Sequence, residues 1–106
     1  MLFRSIILPQ EQQGDYASWH LYVIRMRDPK HRLPLYHYLK EHGVGVNFHY
    51  PTVYSHPYYR AHGYKDTALP NADAYHNSCI TIPCHTKLTK AQVATVARTI
   101  KAYVAQ

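Results

Sequence analysis

Apolar positions in this chain follow two rhythms, one of period two and one of period near four. From Trp19 to Arg27 (WHLYVIRMR), Trp19, Leu21 and Val23 fall on one parity and Tyr22, Ile24 and Met26 on the other. Apolar residues on both faces predict a central strand covered from both sides. Asp28-Pro29 ends it. Leu35, Tyr38 and Leu39 then form a helical stripe, with Pro34 in the first turn, His42 in the last and Gly43 at the C′ position. From Val44 to Tyr50 the alternation returns. Val44, Val46, Phe48 and Tyr50 share one parity, and Gly45, Asn47 and His49 share the other. This pattern predicts a second strand with an apolar packed face and a free face that offers an amide and an imidazole.

Downstream, Pro57 to His62 suits a single helical turn ended by Gly63. Pro70 and Asn71 open a short helix through Ser78, with Asn71 placed to cap it. Cys79 to Cys84 predicts a third strand, broken by Pro83. Thr89 and Gln92 fit a capping box, and Val93, Val96, Ala97, Ile100 and Val104 continue it as a helical stripe. The order is β-α-β, small helices, β-α. It predicts an α+β architecture: a small sheet of about three strands with helices on one side. Residues 1–18 read as a connector tail, since Ile6, Ile7 and Leu8 form an apolar stub that Pro9 ends before a polar leash. Residues 19–106 read as one domain.

Composition sharpens this picture. Of the 106 residues, 46% are hydrophobic, but eleven are tyrosine. A ring with a hydroxyl favours boundaries over deep cores, so much of this surface is expected to meet something outside the chain. The net charge of +6 points to anionic partners. The densest basic cluster, Arg25, Arg27, Lys30, His31 and Arg32, reads first as a solvated strand end and loop. No apolar run approaches the roughly 20 residues of a spanning helix, and the start lacks a signal peptide's pattern, so a cytoplasmic protein is expected. Cys79 and Cys84 fall on opposite sides of a strand, which suits two small buried hydrophobes better than a bridge.

The chemistry gathers in Gly43–Tyr64, GVGVNFHYPTVYSHPYYRAHGY. Beyond Tyr50 it carries two prolines, two histidines, four tyrosines and Arg60. His42, His49, His56 and His62 recur at intervals of seven, seven and six. Gly43, Gly45, Pro51 and Pro57 forbid one helix through them, and no CxxC accompanies them, so no metal site is expected. Cys84 and His85 are neighbours that point apart on a strand, which disfavours a nucleophile–base pair. Neither common glycine-rich phosphate loop occurs. The tyrosines cluster in one loop rather than alternating over several strands, which argues against nucleic acid as the partner. Asn47 and His49, with Tyr50, Tyr54, Tyr58 and Arg60 nearby, are equipped to hold a polar, phosphorylated ligand. From spacing alone, an interface loop that touches no ligand accounts for them equally well.

The segments SWHLYVIR, LKEHGVGVNFHYP, HPYYRAHGY, LPNADAY, ITIP and LTKAQV, in this order, resemble the C-terminal domain of DegT/DnrJ/StrS-type aminotransferases over about residues 5 to 105. These are dimeric fold-type-I enzymes that use pyridoxal 5′-phosphate to aminate nucleotide-linked keto sugars, usually with glutamate as donor. The resemblance is nearest to the branch that makes amino-dideoxy hexoses for surface polysaccharides.

That resemblance implies part of an enzyme. In the family, a large N-terminal domain binds the cofactor and supplies the Schiff-base lysine. None of Lys30, Lys40, Lys65, Lys87, Lys90 or Lys101 lies in a sequence like that lysine's motif. No catalytic or cofactor-binding residue is therefore expected in this chain, nor activity from it alone. A truncated reading frame is expected, with Met1 an internal methionine or spurious start. Carried over by position, Asn47, Phe48, His49, Tyr50 and Tyr54 are the substrate-side residues. Two departures stand out: Tyr54 occupies the place of a frequent histidine, and Ile82–Thr86 reads IPCHT where LPLFP or LPLYP is common. The alternative expectation is a stand-alone basic, tyrosine-rich module that binds a nucleotide sugar or nucleic acid.

Overall fold

A computed structural model describes residues 2–106, with side chains from Arg4 onward; Met1, read above as an internal or spurious start, lies outside the described residues. After a short helix α1 (Leu2–Ser5), three antiparallel strands form one sheet in the order β1 (Ile6–Ile7), β2 (Tyr22–Met26), β3 (Cys79–Ile82). The Trp19–Arg27 run thus supplies the central strand, as its two-sided pattern predicts. The remaining α-helices are α2 (Arg32–Glu41), α3 (Pro57–Tyr59), α4 (Pro70–Ser78) and α5 (Lys90–Val104).

Register explains which side chains meet. Ile6 faces Met26, Ile24 faces Ile80 and Tyr22 faces Ile82, and directly opposed residues project to the same side. On that side Ile6, Ile24, Met26 and Ile80 join Leu35 and Leu39 of α2, Val44, and Ile100 of α5 in one buried cluster. The two longest helices, α2 and α5, both cover this face. On the other face Arg25 donates from Nε to Ser78 Oγ at 2.9 Å and stacks its guanidinium over Tyr75 of α4.

Ile6–Ile7, within the stretch read as connector, is an edge strand, and Ile6 is buried. By contrast, the strand expected over Val44–Tyr50 shrinks to one bridge. Asn47 N–H donates to Thr81 O at 3.1 Å, and Thr81 N–H donates to Asn47 O at 2.8 Å. An antiparallel ladder would next pair residue 45 with Pro83 and residue 49 with Cys79. Pro83 has no N–H to give, and the Cys79 carbonyl already accepts from Arg32 Nε at 3.1 Å. The ladder therefore stops in both directions. β3 ends at Ile82, just before Pro83, and Leu21, the residue opposite Pro83, lies outside β2.

The helix ends largely follow the local code. Gly43, at φ 76°, closes α2 in the left-handed conformation that a glycine tolerates. Thr89 Oγ1 accepts from Gln92 N–H while Gln92 Oε1 accepts from Thr89 N–H, so the capping box of α5 is complete. Asn71 does not cap α4; Leu69 stands at that N-cap, without a side-chain bond. The α5 stripe is only partly covered. Ile100 is buried, but Val93 is 53% exposed and lines an apolar groove of about 560 Å³ with Leu8, Ile82, Leu88 and Val96.

Candidate functional site

The segment from Asn47 to Tyr54 starts at the outer edge of β3, held there by the Asn47–Thr81 bridge, and reaches α4 at Tyr54. Parity sorts the side chains only as far as Phe48: His49, expected on the free face, is half-buried, and Tyr50, expected on the packed face, is exposed. Val44 is buried, Val46 and Phe48 are half-buried, and Asn47 is exposed. Asn47 Oδ1 accepts from Phe48 N–H at 2.8 Å, so this amide braces its own backbone. Phe48 turns inward, stacked on Tyr36 with ring centroids 4.5 Å apart and covered by the Arg32 guanidinium at 3.8 Å.

His49 is half-buried, with Nδ1 2.9 Å from Thr81 Oγ1 and its ring edge-on to Tyr50 at 4.7 Å. Thr81 therefore anchors this segment twice, through its backbone to Asn47 and through its hydroxyl to His49. Tyr50 is 66% exposed, the most open of the four expected substrate-side residues that carry a ring. Tyr54 is half-buried, and its hydroxyl donates to the Asp73 carboxylate on α4. That acceptor holds the proton on the phenol, so the Tyr54 pKa lies above its ordinary value; burial adds to the effect.

Beyond Tyr54 the chain packs on itself. Tyr58 stacks on His62 with centroids 4.1 Å apart, and Tyr59 meets both Tyr58 and Tyr64 edge to face. Tyr58, Tyr59, Arg60 and Tyr64 stay exposed, so this stretch presents aromatic and basic side chains outward. The histidines do not converge. His42 Nδ1 donates to Tyr38 O, His62 Nδ1 donates to Tyr58 O, and His49 is taken by Thr81. Among the described residues no three His, Cys, Asp or Glu side chains gather as a metal ion would require.

Pyridoxal phosphate needs an amine in a shielded pocket to form its Schiff base. Lys30, Lys40, Lys65, Lys87, Lys90 and Lys101 are all exposed. Lys30 is ion-paired with Asp28, and Lys40 lies over the Tyr36 ring. The residues of this chain do not fit the cofactor's aldehyde.

Sequence pattern missed Thr81, Asp73 and the Arg32–Tyr36 pair beneath Phe48. Thr81 stood in an apolar strand and Asp73 within a short helix, and neither position carries a local signal of its distant partner.

Comparison with known proteins agrees over nearly the whole chain. The pattern of the DegT/DnrJ/EryC1/StrS aminotransferase family matches residues 3–101. The spore coat polysaccharide biosynthesis protein SpsC of Bacillus subtilis (strain 168) is 29% identical over 102 residues, covering 92% of this chain and 26% of its own. The aminotransferase TlmJ from Streptoalloteichus hindustanus superposes with a TM-score of 0.84 at 25% identity, over 95% of this chain and 26% of that one. The apo form of the sugar aminotransferase Spr1654 from Streptococcus pneumoniae, itself described as putative, gives 0.84 at 28% identity, over 92% and 25%. The chain thus spans about a quarter of the length of the relatives it matches. It belongs to the DegT/DnrJ/EryC1/StrS aminotransferase family.

Proposed function

We propose that this chain is the C-terminal part of a pyridoxal-phosphate-dependent aminotransferase that acts on a nucleotide-linked keto sugar, in amino-sugar or surface-polysaccharide biosynthesis. The complete enzyme takes its amino group from glutamate, works as a homodimer in the cytoplasm and binds the cofactor in an N-terminal domain. The observation that carries this reading is the family match over residues 3–101 in a chain a quarter as long as its relatives. The exposed lysines support a division of labour in which the Schiff base is made elsewhere. Among the described residues no helix is long and apolar enough to cross a membrane.

In this reading the Asn47–Tyr54 segment is the substrate-side wall. Tyr50 presents an open ring and hydroxyl to the sugar nucleotide, and His49, steadied by Thr81, presents its imidazole edge. Asn47 and Phe48 set the backbone path, Asn47 through its bridge and Phe48 through its stack. Tyr54 completes the wall at its far end.

The test is direct. The purified chain mixed with pyridoxal phosphate should develop no protein-linked visible absorbance, and the DNA upstream of Met1 should encode the lysine-bearing domain. Borohydride treatment that fixes the cofactor onto one lysine of this chain would overturn the reading, as would intact upstream DNA without that domain. The exposure of Tyr50, Tyr58, Tyr59 and Tyr64, together with that of Arg60, favours a second reading, a stand-alone binding module. A cooperative thermal transition together with saturable binding of a nucleotide sugar or single-stranded nucleic acid would support it.

A further inference from the structure

We infer that Tyr54 is a positioning residue: its hydroxyl clasps the Pro51–Tyr64 loop to α4 through Asp73, so that the exposed rings of that loop, Tyr58, Tyr59 and Tyr64, are held as a fixed wall. The inference rests on the reading of this segment as the substrate side, and it deepens that reading by giving Tyr54 a role through another residue.

Three observations carry it. First, the loop is otherwise polar only toward itself. Ser55 N–H and Oγ both donate to Thr52 O, His56 N–H donates to Val53 O, Arg60 N–H to His56 O, and Thr67 N–H to Tyr64 O. Among the described residues, apart from the bonds at the Tyr54 hydroxyl, every hydrogen bond of residues 51–67 stays within that segment. Second, the start of α4 lacks a side-chain cap of its own. The bond to Asp73 thus engages the first turn of a helix whose N-cap makes no side-chain bond. Third, the acceptor is a half-buried carboxylate in the first turn of α4, where a negative charge is favoured by the helix dipole. A phenol donating to a carboxylate there is stronger than a neutral pair.

The test is amide hydrogen exchange on the whole chain, comparing the wild type with Tyr54→Phe, Asp73→Ala and Asp73→Asn. Tyr54→Phe and Asp73→Ala are expected to speed exchange of residues 53–64 by about tenfold or more, while α2 and α5 keep their protection. Asp73→Asn keeps an acceptor oxygen and should restore most of it. Unchanged loop exchange in Tyr54→Phe would overturn the clasp, and so would an equal rise in every element. Exchange is read without ligand, so failure of the substrate reading would leave this result standing, and failure of the clasp would leave the substrate reading open to its own test.

Discussion

The guanidinium of Arg32 lies over the ring of Phe48, with its central carbon 3.8 Å from the ring centroid, while its Nε donates to the Cys79 carbonyl at 3.1 Å. One side chain on α2 thereby ties together the β3 edge and the segment that carries His49 and Tyr50. It also occupies the carbonyl that a longer ladder would have needed.

Replacing Arg32 with lysine keeps the charge but removes the planar stack and the Nε donor. Arg32→Lys should cost about 1–2 kcal/mol, read as a lower urea midpoint at unchanged slope. A stability equal to wild type would show that the stack contributes nothing.

Alkaline pH should weaken the fold. Tyr54, Tyr75 and Tyr103 are held above the ordinary tyrosine value of 10.0, Tyr54 chiefly by its bond to Asp73 and the other two by burial. Burial likewise pushes the Cys79 thiol above 9.0. Above those values the unfolded chain loses protons that the folded chain keeps. The stabilisation is thus complete below pH 9 and falls as pH climbs through 9 to 10 and on to the folded values. Urea midpoints taken from pH 8 upward should decline, and Tyr54→Phe should shallow the decline. A rise with pH would contradict the assignment.

The apolar groove along α5 should attract hydrophobic dye and self-association. Val93→Asp places a charge in the exposed first turns of α5, where the helix dipole favours it. Dye fluorescence and the sedimenting aggregate should both fall, with a stability change within about 0.5 kcal/mol. Undiminished dye binding would place the sticky surface elsewhere, on the tyrosine loop.

The capping box offers a purely local test. Thr89→Ala removes the acceptor for Gln92 N–H and should lower stability by about 1 kcal/mol, seen in the thermal midpoint. No change would mean that α5 is held by Ile100 and its neighbours alone.

Local pattern by itself determined the elements whose physics is local. The helix stripe of Leu35 and Leu39, the glycine that closes α2, the Thr89–Gln92 box and the two-sided run around Ile24 all follow from residues a few positions apart. Tertiary structure decided the rest. Ile6–Ile7 became a strand because Met26 and Arg25 were there to pair with, which no short apolar stub can announce. Val44–Tyr50 had a strand's alternation but lost its ladder to a proline on the partner and to a guanidinium from another element. Alternation reports which face is apolar; only an available donor and acceptor on a neighbour turns it into a sheet. For the same reason Asn47, His49 and Tyr54 were legible as polar groups, while Thr81 and Asp73, their partners across 34, 32 and 19 residues, emerged only when the chain was folded.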